Sequence, residues 1–123
     1  PNVASLVARQ VPGFEPLKRF DTHYTMLDED LTKVQDIQFC TGSFFVIRTD
    51  VMKKIGGFDP DYFMYVEDAD ITRRAMCCGR VCLLPQFRAI HAWHREPFRR
   101  PAAFARQLSS MMLYFKKWGF HWC

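Results

Sequence analysis

Acidic residues are nearly absent from the last third of the chain. Twelve of the thirteen Asp and Glu residues fall between Glu15 and Asp70; from Arg88 onward Glu96 stands against seven Lys and Arg residues. That imbalance favours anionic partners such as phosphorylated substrates or an anionic membrane surface. No run of about 18 apolar residues occurs, which excludes a membrane-spanning helix. No signal peptide is legible, because Arg9 interrupts an opening stretch that lacks an apolar core. Five cysteines, an odd number with Cys77 and Cys78 adjacent, do not make a secreted disulfide framework, so reduced thiols and a cytoplasmic setting are expected. Cys77, Cys78 and Cys82 fit no paired zinc-ligand spacing and read as structural thiols. There is no internal repeat and no low-complexity tract. The basic residues do not interleave with aromatics in a regular array, so nucleic acid is not expected as a partner. The chain opens on Pro1 rather than Met and is expected to be a processed or partial product.

With 123 residues and nearly half of them hydrophobic, the chain is expected to be globular and to form one domain or part of a larger one. Residues 1–36 form a poorly defined leading segment, with a turn-rich "VPGFEP". From Ile37 the signals sharpen. "IQFCT" predicts a short strand and "SFFVIR" a second, largely buried one, with Gly42 between them at a bulge or close backbone approach. Thr49 is placed to cap a short helix over "DVMKKI" that Gly56 and Gly57 end, one of them left-handed. Phe58–Tyr65 reads as an aromatic loop whose Pro60 prevents a regular helix. "EDADITRRAMCCG" predicts a helix with Glu67 or Asp68 as its cap, an Asp70–Arg74 ion pair in the favourable order, and Gly79 as its stop. "RVCLL" and "FRAIHAWH" predict two more strands. Pro101 then opens an amphipathic helix to about Lys117, with Phe104, Leu108, Met111, Met112 and Phe115 as its apolar stripe. This mixture is α/β, with too few strands for a doubly wound sheet of its own.

The ordered set Gly42-Ser43, Arg48, Gly56-Gly57-Phe58-Asp59, Phe63, Tyr65, Glu67-Asp68-Ala69-Asp70, Arg74, Gly79, Pro85 and His91, with the tail "SSMMLYFKKWGF", resembles the C-terminal half of family 2 glycosyltransferases of the GT-A fold. The subgroup it looks most like is the rhamnosyltransferase-like enzymes of bacterial surface polysaccharide assembly. The resemblance covers residues 37–120. It implies an acceptor-side portion of that fold over residues 37–123, a mixed sheet flanked by helices, with an incomplete donor-binding half. It implies inverting transfer of a sugar, rhamnose among the candidates, from a nucleotide-sugar to the hydroxyl of a glycan or lipid-linked acceptor. Asp68 would be the base that takes the acceptor proton, with Glu67 beside it in the catalytic pair. Phe58, Asp59, Tyr62, Phe63 and Tyr65 would bind the acceptor. His91 would help hold a divalent cation, Mn or Mg, on the diphosphate leaving group; His94 is a weaker candidate. Gly56, Gly57, Asp70 and Arg74 keep structural roles. The basic flank of the last helix would approach the inner face of the membrane peripherally.

One element of the family pattern is missing. Asp28/Asp30, Asp59/Asp61 and Asp68/Asp70 are Asp-x-Asp strings, yet none follows a buried apolar strand as the family's metal motif does. The chain alone is therefore expected to be catalytically weak or inactive. A non-catalytic glycan- or partner-binding remnant is the competing expectation. Read without the resemblance, "EDAD" is an N-cap followed by an ion pair, and His91 is a core histidine.

Overall fold

A computed structural model describes residues 26, 29–92 and 101–119. Its elements in chain order are β1 (Gln35–Asp36), α1 (Thr49–Lys54), α2 (Glu67–Met76), β2 (Cys82–Leu83) and α3 (Pro101–Trp118).

The short helix α1 forms where Asp50 faces its amide end and Lys53 and Lys54 its carbonyl end, each complementing the helix dipole. The cap is Arg48, already extended at φ −64° and ψ 136°, so Thr49 becomes the first helical residue and caps nothing. At the other end both glycines are left-handed, Gly56 at φ 77° and Gly57 at φ 73°. Their amides return to Lys53 O (3.2 Å) and Met52 O (3.0 Å), which satisfies the carbonyls the helix leaves open.

The two strands pair antiparallel in the register Gln35↔Leu83 and Asp36↔Cys82. Arg80 fixes that register with an ion pair to Asp36 at 2.9 Å. The Ile37 amide extends the pairing to Val81 O at 2.9 Å. The strand expected over residues 37–41 thus lies at residues 35–36, two positions earlier, with the Ile37 amide alone continuing its pairing. Residues 43–48, expected as a buried strand, enter no ladder among the described residues. Their exposure alternates along the chain, with Phe44, Val46 and Arg48 outward and Phe45 and Ile47 half-buried. The strand pattern is present; the partner that would bury its other face is not among the described residues. Residues 87–92 likewise enter no ladder, and the rest of that expected strand lies outside the described residues.

The core gathers where α2 meets α3. Tyr62, Ala69, Tyr114 and Phe115 form its buried centre, with Phe39, Val66, Met111, Leu113 and Trp118 packed around it. Tyr114 and Phe115 meet edge to face at 5.7 Å. Pro101 opens α3, where its missing amide costs nothing, and Gly119 closes it at φ 84° with an N–H to Phe115 O. The apolar stripe expected on α3 divides. Met111 and Phe115 join the core, whereas Phe104, Leu108 and Met112 face outward. The i, i+4 spacing of those three aligns them in one row along the helix, Phe104 and Leu108 continuing the row of Met111 and Phe115 toward its start.

Candidate functional site

The chain between α1 and α2 is an aromatic loop held from two directions. At its start, Arg74 on α2 donates to Ile55 O (2.7 Å) and Gly57 O (2.6 Å), clamping the end of α1. The same guanidinium meets Asp70 at 2.7 Å. Asp70 is fully buried, and its other carboxylate oxygen accepts the Trp118 indole N–H (2.8 Å) and the Lys117 ammonium (2.9 Å). Lys117 also donates to Asp59 in the loop at 2.7 Å. A buried carboxylate with a charged fork, an ammonium and an indole around it has its desolvation offset by partners. Asp59 sits below the usual carboxylate range because Lys117 donates to it, helped by the Asp61 amide.

Further along the loop, Ser110 Oγ donates to Met64 O at 2.7 Å, and the Arg106 guanidinium lies 4.7 Å over the Phe63 ring. The last two loop residues, Tyr65 (φ 70°) and Val66 (φ 67°), are both left-handed, and Val66 caps α2 without a side-chain hydrogen bond. This corrects the expectation that Glu67 or Asp68 is the cap. They are the first and second residues of the helix.

Asp68 is half-buried and tied down by backbone amides. Its Oδ1 accepts Ala69 N–H (2.8 Å) and its Oδ2 accepts Gly42 N–H (3.0 Å), twenty-six positions away. The close approach expected at Gly42 is this contact, and a methyl group there would meet Asp68 Cβ at 3.5 Å, ordinary contact distance. Thr72, one turn on, fixes the same loop to the helix. Its Oγ1 donates to Asp68 O (2.6 Å) and accepts the Cys40 amide (3.3 Å). Burial pushes the Cys40 thiol up, and the Asp68 charge adds to it. Glu67 is raised, first by burial and then by the Asp68 charge beside it. Its Oε2 is buried with no hydrogen-bond partner among the described residues. The Cys40–Phe44 loop also lines an open, mainly apolar cleft of about 620 Å³, with Leu83, Pro85 and Arg88 on its other side.

The expected acceptor wall divides. Phe63 is strongly exposed and Phe58 partly so, the latter edge-on to Phe45 at 6.2 Å. Tyr65 is half-buried. Tyr62 does not belong to a wall. The turn in which its amide bonds Asp59 O carries it into the core, where it offers no free ring face. Asp59 is engaged by Lys117. His91 is exposed in irregular chain after β2. No group of three His, Cys, Asp or Glu residues that could hold a metal ion occurs among the described residues. His94 lies outside them. Ser110, Lys117 and Trp118, which anchor the loop and Asp70, were not among the expected site residues, though the last two sit in the "KKWG" of the tail. An ammonium and an indole closing an amphipathic helix were the available signal.

No family model matches the chain, and no solved structure matches it. Over 61 residues it is 39% identical to the rhamnosyltransferase WbbL of Escherichia coli (strain K12), which covers 49% of this chain and 23% of that protein. The chain therefore spans about a quarter of the length of this curated relative, and the stretch relates it to a glycosyltransferase.

Proposed function

We propose that the chain is the acceptor-side portion of an inverting family 2 glycosyltransferase of the GT-A fold, with Asp68 as the base. The observation that carries the reading is the anchored Asp68 at the start of α2, beside an aromatic loop, in a chain similar to a rhamnosyltransferase over 61 residues. Each Asp68 oxygen accepts one backbone amide and keeps a second lone pair. In the proposed step the acceptor hydroxyl gives its proton to such a lone pair while its oxygen attacks the anomeric carbon. The bond to the nucleoside diphosphate breaks, and the configuration inverts. Phe63 and Phe58 supply apolar faces for a sugar ring. The donor is a nucleotide-sugar, rhamnose among the candidates, held by chain outside this portion. A divalent cation would neutralise the departing diphosphate. The described residues gather no ligand set for one, so no step here passes through His91.

The acceptor is proposed to be a glycan or a lipid-linked glycan at the inner face of the membrane. Among the described residues no helix is long and apolar enough to cross a membrane. The outward Phe104, Leu108 and Met112 of α3, on a helix without acidic residues, suit peripheral contact with anionic lipid.

The test is sugar transfer by the full-length protein, followed by mass spectrometry. Asp68→Asn should lower kcat by about 10²- to 10⁴-fold. Undiminished transfer would overturn the base assignment, and a wild-type protein that transfers no sugar would overturn the function. A second reading, a glycan-binding remnant, is favoured by one fact: both Asp68 oxygens already serve backbone amides. Titration of the 123-residue chain with nucleotide-sugar and manganese separates the portions. Binding by this chain alone would contradict the acceptor-side reading.

A further inference from the structure

Two adjacent residues with side chains hold positive φ before Glu67, and one of them is β-branched. Valine at φ 67° is a genuine outlier, because its branched Cβ crowds the neighbouring carbonyl. Such a conformation persists only where the surroundings over-determine it. Here the surroundings are visible on both flanks. Upstream, α3 holds the loop at three points: Lys117 on Asp59, Arg106 on the Phe63 ring, and Ser110 on Met64 O. Downstream, Val66 O accepts the Asp70 amide at 3.0 Å, and Asp70 is itself bound by Lys117 and Trp118 of α3. α3 therefore fixes the Met64 carbonyl directly, while the Val66 carbonyl is held by the first turn of α2, whose Asp70 α3 braces, and the chain has only Tyr65 and Val66 in which to turn into α2.

We infer that Val66 is a positioning residue: α3 acts as a strap that holds it left-handed, and this sets the direction in which α2 presents Asp68 to the Gly42 amide. The inference rests on the proposed role of Asp68, and it assigns Val66 no contact with substrate. An extended or right-handed Val66 would rotate the first turn of α2 and draw Asp68 Oδ2 away from an amide now 3.0 Å distant. The half-buried Val66 side chain also packs on the core, so the test must separate side chain from backbone.

Two substitutions do so. Val66→Ala and Val66→Gly both remove the branched side chain, but only glycine adopts positive φ freely. Elsewhere in a chain alanine is the more stabilising of the two. Here Val66→Gly should fold more favourably than Val66→Ala, by about 5- to 30-fold in the folding equilibrium. Equal stability, or the usual order, would overturn the left-handed assignment. Ser110→Ala, which cuts the strap and leaves the strained Val66 in place, should expose the Gly42 amide to faster hydrogen exchange and shift its proton upfield, while amides in the middle of α2 stay protected. Adding Val66→Gly, which needs no strap to stay left-handed, should restore that protection. In the full-length protein, Ser110→Ala should lower kcat by about 10- to 100-fold with KM for the nucleotide-sugar unchanged. An unaltered Gly42 amide together with unaltered kcat would overturn the positioning role. Absence of sugar transfer by the wild-type protein would overturn the proposed function instead, and the Gly42 amide would still decide the present inference.

Discussion

Along the seam of α2 and α3, Asp70 has no solvent exposure and takes donors from Arg74, Lys117 and Trp118. Along residues 43–48, Val46 is 89% exposed and no ladder hydrogen bond is made among the described residues. Both stretches carry strong sequence patterns, one of helical charge pairs and one of apolar alternation. The first pattern is completed among the described residues, by Arg74 one turn on and by Lys117 and Trp118 of α3. The second needs a neighbouring strand. A pattern fixes which face a residue shows, and a partner decides whether showing it contributes any stability.

The largest way to break this contrast is Asp70→Ala. It leaves Arg74 and Lys117 without their shared carboxylate and should cost about 3 kcal/mol in urea denaturation. A loss under 1 kcal/mol would mean the seam is no firmer than the extended stretch. Thr72→Val removes the hydroxyl that joins α2 to the Cys40 loop, and should cost about 1 kcal/mol. It tests one of two ties from α2 to that loop among the described residues, the other being Asp68 to the Gly42 amide. Val46→Thr and Ile90→Thr, on side chains exposed at 89% and 105%, should stay within about 0.5 kcal/mol of wild type. A larger loss would show that these side chains pack against something after all. Tyr62→Phe deletes a buried hydroxyl with no hydrogen-bond partner among the described residues and should be neutral or slightly stabilising.

Acid sharpens the contrast further. The Asp59 carboxyl is held below its ordinary range by Lys117, so its contribution is present above the unfolded value of about 4 and is lost as pH falls toward the folded one. Asp59→Asn should flatten the acid limb of a stability profile. Glu67 works in the opposite sense. Burial raises it, so the folded state holds its proton more tightly and stability declines as pH rises through its raised value. Glu67→Gln should therefore gain stability at neutral pH, read from thermal midpoints.

What could be read from the sequence was what neighbours along the chain decide. The Gly56-Gly57 stop, the i, i+4 pair of Asp70 and Arg74, the aromatic loop after Pro60, and the limits of α3 all depend on local chemistry. Tyr62 was misplaced because an aromatic in a loop gives no local sign of which way the turn will carry it. The strand at Gln35–Asp36 was missed because its two residues are polar, and Arg80, forty-four positions on, selects them. Left-handed Val66 was illegible for a stronger reason. Every local preference of a β-branched residue opposes it, and the contacts that impose it come from a helix about forty residues later. Asp68 was found through the resemblance, whereas its two amide partners emerge only from the folded chain.

Trp118 donates its indole N–H to a buried carboxylate and lies beneath the Arg73 guanidinium at 4.9 Å. That setting makes it an optical gauge of the seam. With Trp93 and Trp122 replaced by phenylalanine, its emission would follow the joint between the two helices alone. Water reaching the indole would move the spectrum to the red before the backbone unravels. The moment at which α3 lets go could then be timed separately from unfolding, on the unlabelled protein.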